Sequence, residues 1–522
     1  MKNYQNNLAV RFEKIVSQNR NRTAIIFEEH QRLSYDQLDQ LSNQVARFLQ
    51  DKGIGRGDCV CINLDKTAAA YCVILGCLKI GATYFAIDPN SPVKRVVSIF
   101  NHCPPVVIFS EKRLQGNFFD DKTILCEEIH DKLSFCEQFS SAPLELSDPA
   151  IPSDMAYIMF TSGSTGVPKG AVMTQANLFH FIDWAVRDYQ FTTDDIHTHI
   201  NPLYFDNSVF DIYSTFFSGG TLVSFKTTLL QNPSGIVEKI NRFKCTVFFS
   251  VPSMLMFLQS TKVIDSNLMG SLKKIIFGGE GYPKGRLKEL FDILGKRTQL
   301  INVYGPTECT CICSSYLINA GDFGNLEGYP PIGNITANFS HYLLEENRRV
   351  SDGDVGELCL GGPCVGQGYF NQPELTKKAF VQNPLNHTFE ERVYRTGDLM
   401  RFNFQDGKLW FIGRKDFQIK HQGYRIELEE IEHALAAVEG IDEAIALHTV
   451  EDGISKIVGV VSSRKDLKPS VIRSQAAQLI PKYMVPNKIK IIDRMPKNAN
   501  GKTDRKKLKE MFINEQVQSG VI

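Results

Sequence analysis

Along roughly four hundred residues, short apolar runs alternate with stretches of helical periodicity, and few architectures accommodate that alternation. Ser34 to Asp51 sets Leu38, Leu41, Val45, Phe48 and Leu49 on one face at helical spacing, with Ser34 placed as its N-cap. Cys59 to Leu64 then reads as a short buried strand, Ala68 to Ile80 as a helix, and Thr83 to Ile87 as extended chain. Further strand-like runs occupy 106–109, 156–160, 246–249, 274–277 and 299–303. The expected fold is therefore α/β, a large N-terminal domain of stacked, mostly parallel sheets with helices. A chain of 522 residues exceeds what one core holds. Its character changes near Gly413, after which a compact α+β segment carries a helix-like stretch from Glu427 to Ala437. A boundary at Asp416 divides the chain into 1–415 and a small C-terminal domain, 416–522.

Charge and cysteine usage exclude several functional classes. Lys+Arg 58 balances Asp+Glu 58, so neither nucleic acid nor an anionic membrane is an expected partner. The start, MKNYQNNLAVRFEKIV, has no apolar core of a secretory signal. No apolar run approaches the ~18 residues of a membrane span, and a cytoplasmic location without membrane insertion is expected. The thirteen scattered cysteines read as free, mostly buried thiols. Cys309, Cys311 and Cys313 alternate as they would in a strand. That spacing sends Cys311 to the opposite face from its neighbours and suits a metal poorly.

The chemistry concentrates in TSGSTGVPKG, Thr161 to Gly170, directly after the apolar run Ala156 to Phe160. Its glycines let consecutive N–H groups face one concavity, its hydroxyls add donors, and Lys169 adds a positive charge. Such a loop suits polyphosphate oxygens, although it lacks the spacing of a Walker A loop. Other segments share its look of glycine turns around one charged or aromatic residue. They are YFDNSVFD (204–211), FGGEG (277–281), NVYGPTE (302–308), YRTGDL (394–399), GRKDFQIKHQGYRIELEEIE (413–432), IPKYMVP (480–486) and NANGKTDR (498–505). In this order the chain resembles the adenylate-forming enzyme superfamily, most closely the amino-acid adenylation domains of nonribosomal peptide synthetases and D-alanine–carrier protein ligases. The resemblance runs from LSYDQL (33–38) through LKIGATYFAIDP (78–89) to Arg505.

That resemblance implies a two-step reaction. An amino-acid carboxylate attacks the α-phosphate of ATP, releasing pyrophosphate, and a thiol then takes the acyl group and releases AMP. Positioning and charge neutralisation at phosphorus carry most of the first step. By the same resemblance, Thr161, Ser162, Gly163, Ser164, Thr165 and Gly166 wrap the phosphates, with Thr165 and Lys169 as direct contacts. Asn302, Val303, Tyr304, Gly305, Pro306 and Thr307 line the nucleotide, with Tyr304 stacked on adenine. Asp398 accepts from the ribose hydroxyls beside Arg414, Phe411 and Gly413. Glu308 and Thr165 hold Mg²⁺. Lys502, with Lys169 and Glu308, completes the catalytic set and reaches the carboxylate and α-phosphate from a mobile small domain. Asp416 is the hinge, and Gly423 lines the approach of the thiol.

Asp206 corresponds to the residue that pairs with the substrate ammonium in the amino-acid branch, since a buried ammonium needs a buried counter-charge. It also stands where a helix N-cap would. The other pocket positions are Asn207, Phe210, Ser250, Ile276, Gly278, Val303, Cys311 and Ile312, none of them charged. A small or medium neutral side chain fits such walls: alanine, valine, threonine or proline. Gly278 is expected to leave space there and Phe210 to limit it. Gln422, Glu429 and Gln367 depart from the family's usual Arg, Gly and Arg, positions remote from the adenylation centre. With the chain ending shortly after Lys502, the expected acceptor is the phosphopantetheine thiol of a separate carrier protein. An acyl- or aryl-CoA ligase on the same scaffold is the alternative.

Overall fold

The computed structural model describes residues 7–112, 121–126, 128–129, 132–145, 149–163, 166–451, 454–463, 465, 467–497 and 503–512. Two compact units emerge. The first gathers Met1–Pro89, His102–Phe160 and Gly170–Lys415, and the second Asn90–Asn101, Thr161–Lys169 and Asp416–Ile522. The glycine-rich loop and one short stretch before it thus group with the C-terminal residues, whereas a division at 415/416 assigns them to the larger part.

In the first unit, the strands Thr23–Glu28, Thr221–Ser224, Ile196–His199, Val247–Ser250, Lys274–Gly278 and Gln299–Tyr304 lie side by side and parallel. Antiparallel strands close both edges of this nine-stranded sheet. A seven-stranded sheet carries Thr83–Ala86, Cys59–Asn63 and Val107–Ser110 in parallel, with Met155–Thr161 beside them. The helix Ala68–Ile80 is buried along its whole length. Its single charge, Lys79, is met by Asp39 at 2.6 Å and Asn43 at 2.8 Å, as burial demands. Tyr35–Asp51 is a helix whose N-cap, Ser34, forms a reciprocal capping box with Gln37. All thirteen cysteines are buried free thiols.

A third sheet of this unit departs from the parallel expectation. Ser340–Glu345, Val355–Gly361, Arg392–Asn403 and Lys408–Arg414 run antiparallel. The turn at Gly407, with φ 66°, lets the chain double back after Asn403 instead of crossing over through a helix. The second unit is α+β. The helices Leu428–Ala436 and Pro469–Ala476 pack apolar faces with the sheet of Glu443–Glu451, Ile454–Ser462 and Lys488–Ile492. Among the described residues no helix is long and apolar enough to cross a membrane.

Candidate active site

In a parallel sheet, ligands gather outside the carboxyl ends of the strands. Ser250, Gly278 and Tyr304 are the last residues of three adjacent parallel strands. The apolar pocket positions Phe210, Ile276, Val303, Cys311 and Ile312 are all buried. Phe210 lies 4.9 Å from Phe249, ring centroid to centroid, and Cys311 Sγ lies 4.0 Å from the Asn207 side chain. Gly278 has a cause of its own in the sheet, beside the expected one. A Cβ there would stand 2.3 Å from the Val303 carbonyl oxygen, so the close pairing of two strands requires glycine whatever the pocket holds.

Asp206 precedes the short helix Asn207–Val209 with helical backbone angles and makes no side-chain cap. Its carboxylate instead accepts the Thr307 hydroxyl at 2.6 Å. Gly305 and Pro306 link the strand Gln299–Tyr304 to the 3-10 turn Thr307–Cys309. The alternating cysteines that predict a strand do not form one. Thr310 and Cys311 take left-handed angles, φ 55° and 76°, because the chain must reverse there. Cys313 N–H then bonds the Tyr304 carbonyl, and Ser314–Leu317 runs back antiparallel. Left-handed backbone costs a branched residue about 1–3 kcal/mol, and Thr310 is held in it by a 2.8 Å bond to the Cys364 carbonyl.

Three carboxylates of the first unit are tied to the segment 304–308, Asp206 through Thr307 and Asp398 through Tyr304. Besides Asp206, Glu308 is fully buried and accepts the Tyr369 phenol at 2.7 Å. Asp398 faces Arg414 across an antiparallel pair and accepts its guanidinium at 2.6 Å. The other Asp398 oxygen accepts the Tyr304 phenol at 2.5 Å. Burial and the adjacent carboxylate push that phenol well above its usual range, so Tyr304 remains the proton donor. Asn302 turns its amide to the Pro331 carbonyl at 2.8 Å. Phe411 is exposed, on the strand that also carries Gly413 and Arg414. Sequence reasoning reaches Gln367, two residues away, and misses Tyr369.

In the second unit, Ser162 donates to the Arg425 carbonyl at 2.7 Å and accepts from the Glu427 N–H. Gly163 N–H donates to the Glu430 carboxylate at 3.3 Å, and Lys169 pairs with Glu427 at 2.9 Å. The Thr161 hydroxyl is buried and finds no hydrogen-bond partner among the described residues. A loop that offers an N–H and an ammonium to carboxylates, and holds one unmet hydroxyl, has the donors a polyphosphate requires. Asp416 accepts from Gln418 N–H at 3.2 Å. Gln422 and Gly423, both left-handed, turn the hairpin of Gln418–His421 and Tyr424–Glu427. Ser164, Thr165 and Lys502 lie outside the described residues.

The AMP-binding enzyme family matches residues 12–370, and the AMP-binding enzyme C-terminal domain matches 430–502. Bacitracin synthase 1 of Bacillus licheniformis is 33% identical over 508 residues, which cover 96% of this chain and 9% of that protein. The chain thus spans less than a tenth of that relative's length. Zwittermicin A synthase ZmaJ of Bacillus cereus is 31% identical over 503 residues, covering 95% of this chain and 93% of its own. Two solved structures share the fold at 19% identity. An artificially fused adenylation–PCP di-domain, NpsA-ThdA from Klebsiella oxytoca, gives a TM-score of 0.80 over 98% of this chain and 96% of its own. A double mutant of o-succinylbenzoate CoA synthetase from Bacillus subtilis gives 0.83 over 96% and 98%. The chain belongs to the AMP-binding enzymes of the adenylate-forming superfamily, and is similar to the adenylation domains of nonribosomal peptide synthetases.

Proposed function

We propose that this AMP-forming acid–thiol ligase activates a small or medium neutral amino acid. It forms the aminoacyl-adenylate from ATP and passes the acyl group to the phosphopantetheine thiol of a separate carrier protein. The observation that carries the reading is the Asp206 carboxylate beside pocket walls that are otherwise uncharged. An ammonium placed there meets a counter-charge, whereas a charged side chain against the buried walls would meet none. The carboxylate that remains is the nucleophile toward the α-phosphate.

Nucleotide roles follow the same reading. Asp398, oriented by Arg414 and Tyr304, takes the ribose hydroxyls, and Tyr304 takes the adenine. Lys169 and the glycine-rich loop take the phosphates, and Lys502 the charge developing at the α-phosphate. Glu308 and Thr165 would hold Mg²⁺. Among the described residues no three acidic, His or Cys side chains converge as a ligand set. An oxygen pair completed by phosphates and water is the mode of binding Mg²⁺ favours. When bound, Mg²⁺ neutralises phosphate charge.

Amino-acid-dependent exchange of labelled pyrophosphate into ATP, run over the proteinogenic amino acids, D-alanine and several aryl acids, tests the first step. One small neutral amino acid should give the strong signal, and Asp206→Ala should reduce it by about a hundredfold or more. Signal from amine-free acids alone would place the chain among CoA ligases, and silence throughout would end the reading. For the second step, a phosphopantetheinylated carrier supplied in trans should accept the acyl group. Transfer to free coenzyme A but not to any carrier would overturn that half.

A further inference from the structure

We infer that Thr307 is a positioning residue for amine recognition: its hydroxyl aims the Asp206 carboxylate at the substrate ammonium. This rests on the reading of Asp206 as the ammonium's partner. Thr307 belongs by sequence to the nucleotide segment 302–307, yet its hydroxyl lies 2.6 Å from Asp206 Oδ2. That length is typical of a hydroxyl donating to a charged oxygen, one of the stronger hydrogen bonds available.

Two features make the contact more than incidental. The torsion that turns a carboxylate about its last bond is broad, so an aspartate at the start of a helix has no intrinsic aim. Asp206 is also not steadied by capping that helix, so the bond from Thr307 supplies a constraint the helix start lacks. Thr307 is suited to give it. It is buried, β-branched and therefore stiff, at the first position of a turn that leads into the left-handed pair Thr310 and Cys311. The bond fixes one oxygen, which orients the other. Selection for an amine is thus built from two chain segments, one of which also lines the nucleotide.

The test compares the wild-type protein with Thr307→Val, Thr307→Ala, Thr307→Ser and Asp206→Ala at saturating ATP. For each, kcat/KM is measured for the preferred amino acid and for the same acid with hydrogen in place of the amine. Where the amine-free acid turns over too slowly, its inhibition constant replaces kcat/KM. The ratio of the two acids should fall about tenfold in Thr307→Val and Thr307→Ala, and Thr307→Ser should keep it. A hydroxyl that serves only a phosphate or the fold would lower both acids alike. An unchanged ratio in the valine and alanine variants, or a serine variant that fails to keep it, overturns the inference. Failure of the underlying reading is distinguishable, because then Asp206→Ala itself leaves the ratio unchanged.

Discussion

On the proposed reading, Asp398 couples stability to ATP binding. It is buried, and its two oxygens are shared between Arg414 and Tyr304 at 2.6 and 2.5 Å. Because Asp398 and Arg414 face one another in adjacent strands, the sheet register itself brings the pair together. Breaking a buried pair leaves the remaining charge uncompensated, at about 3–5 kcal/mol. Asp398→Asn keeps the shape and removes the charge. It should lower the melting temperature by several degrees and raise the KM for ATP at least tenfold, with a smaller effect on the KM for the amino acid. A variant that melts early yet keeps its KM for ATP would show that the pair serves only the fold.

Element by element, the sequence was most legible where a local rule and the tertiary fold agree. The capping box at Ser34 and the buried strands 274–278 and 299–304 lie where periodicity and turn residues place them. It was least legible where a distant partner decides. Nothing local announces that Gly278 is required by Val303 or that Tyr369 bonds Glu308. Nor does anything local show that Cys311 sits in a reversal rather than a strand. A second partnership of this kind gives the small unit a pH dependence. His421 and His448 both contact the Ser455 hydroxyl, at 2.6 and 2.7 Å, one ring accepting its proton while the other donates. Burial pushes each imidazole down to about 4, whereas in the unfolded chain they titrate near 6.5 (about the usual value). The unfolded state therefore binds more protons between these limits. Stability is complete above pH ~6.5 and falls as pH drops toward ~4, by up to about 1.4 kcal/mol per pH unit for each ring. Thermal unfolding between pH 7 and 4.5 (roughly the span of that window) should show this slope, and His448→Gln should make it shallower. An unchanged slope would assign the dependence to other groups.

At the scale of the whole molecule, the candidate site residues are divided between the two units. Asp206, Glu308 and Asp398 stand on the first, Glu308 in the turn after a strand and Asp398 within one. The glycine-rich loop with Lys169 groups with the second, as does the segment containing Lys502. Such a division suits a reaction in two halves. Attack on the α-phosphate concentrates negative charge at phosphorus and benefits from a cation, whereas transfer from adenylate to thiol releases AMP and needs room for the acceptor instead. A lysine that acts on the first half alone should therefore separate the two kinetically. Lys502→Ala should reduce amino-acid-dependent pyrophosphate exchange by about a hundredfold or more, while thioester formation from pre-made aminoacyl-adenylate stays within about threefold of the parent, a loss of only ~0.6 kcal/mol. Equal loss in both assays would mean that Lys502 supports the site as a whole. Loss confined to the thiol step would place it with the acceptor rather than with ATP.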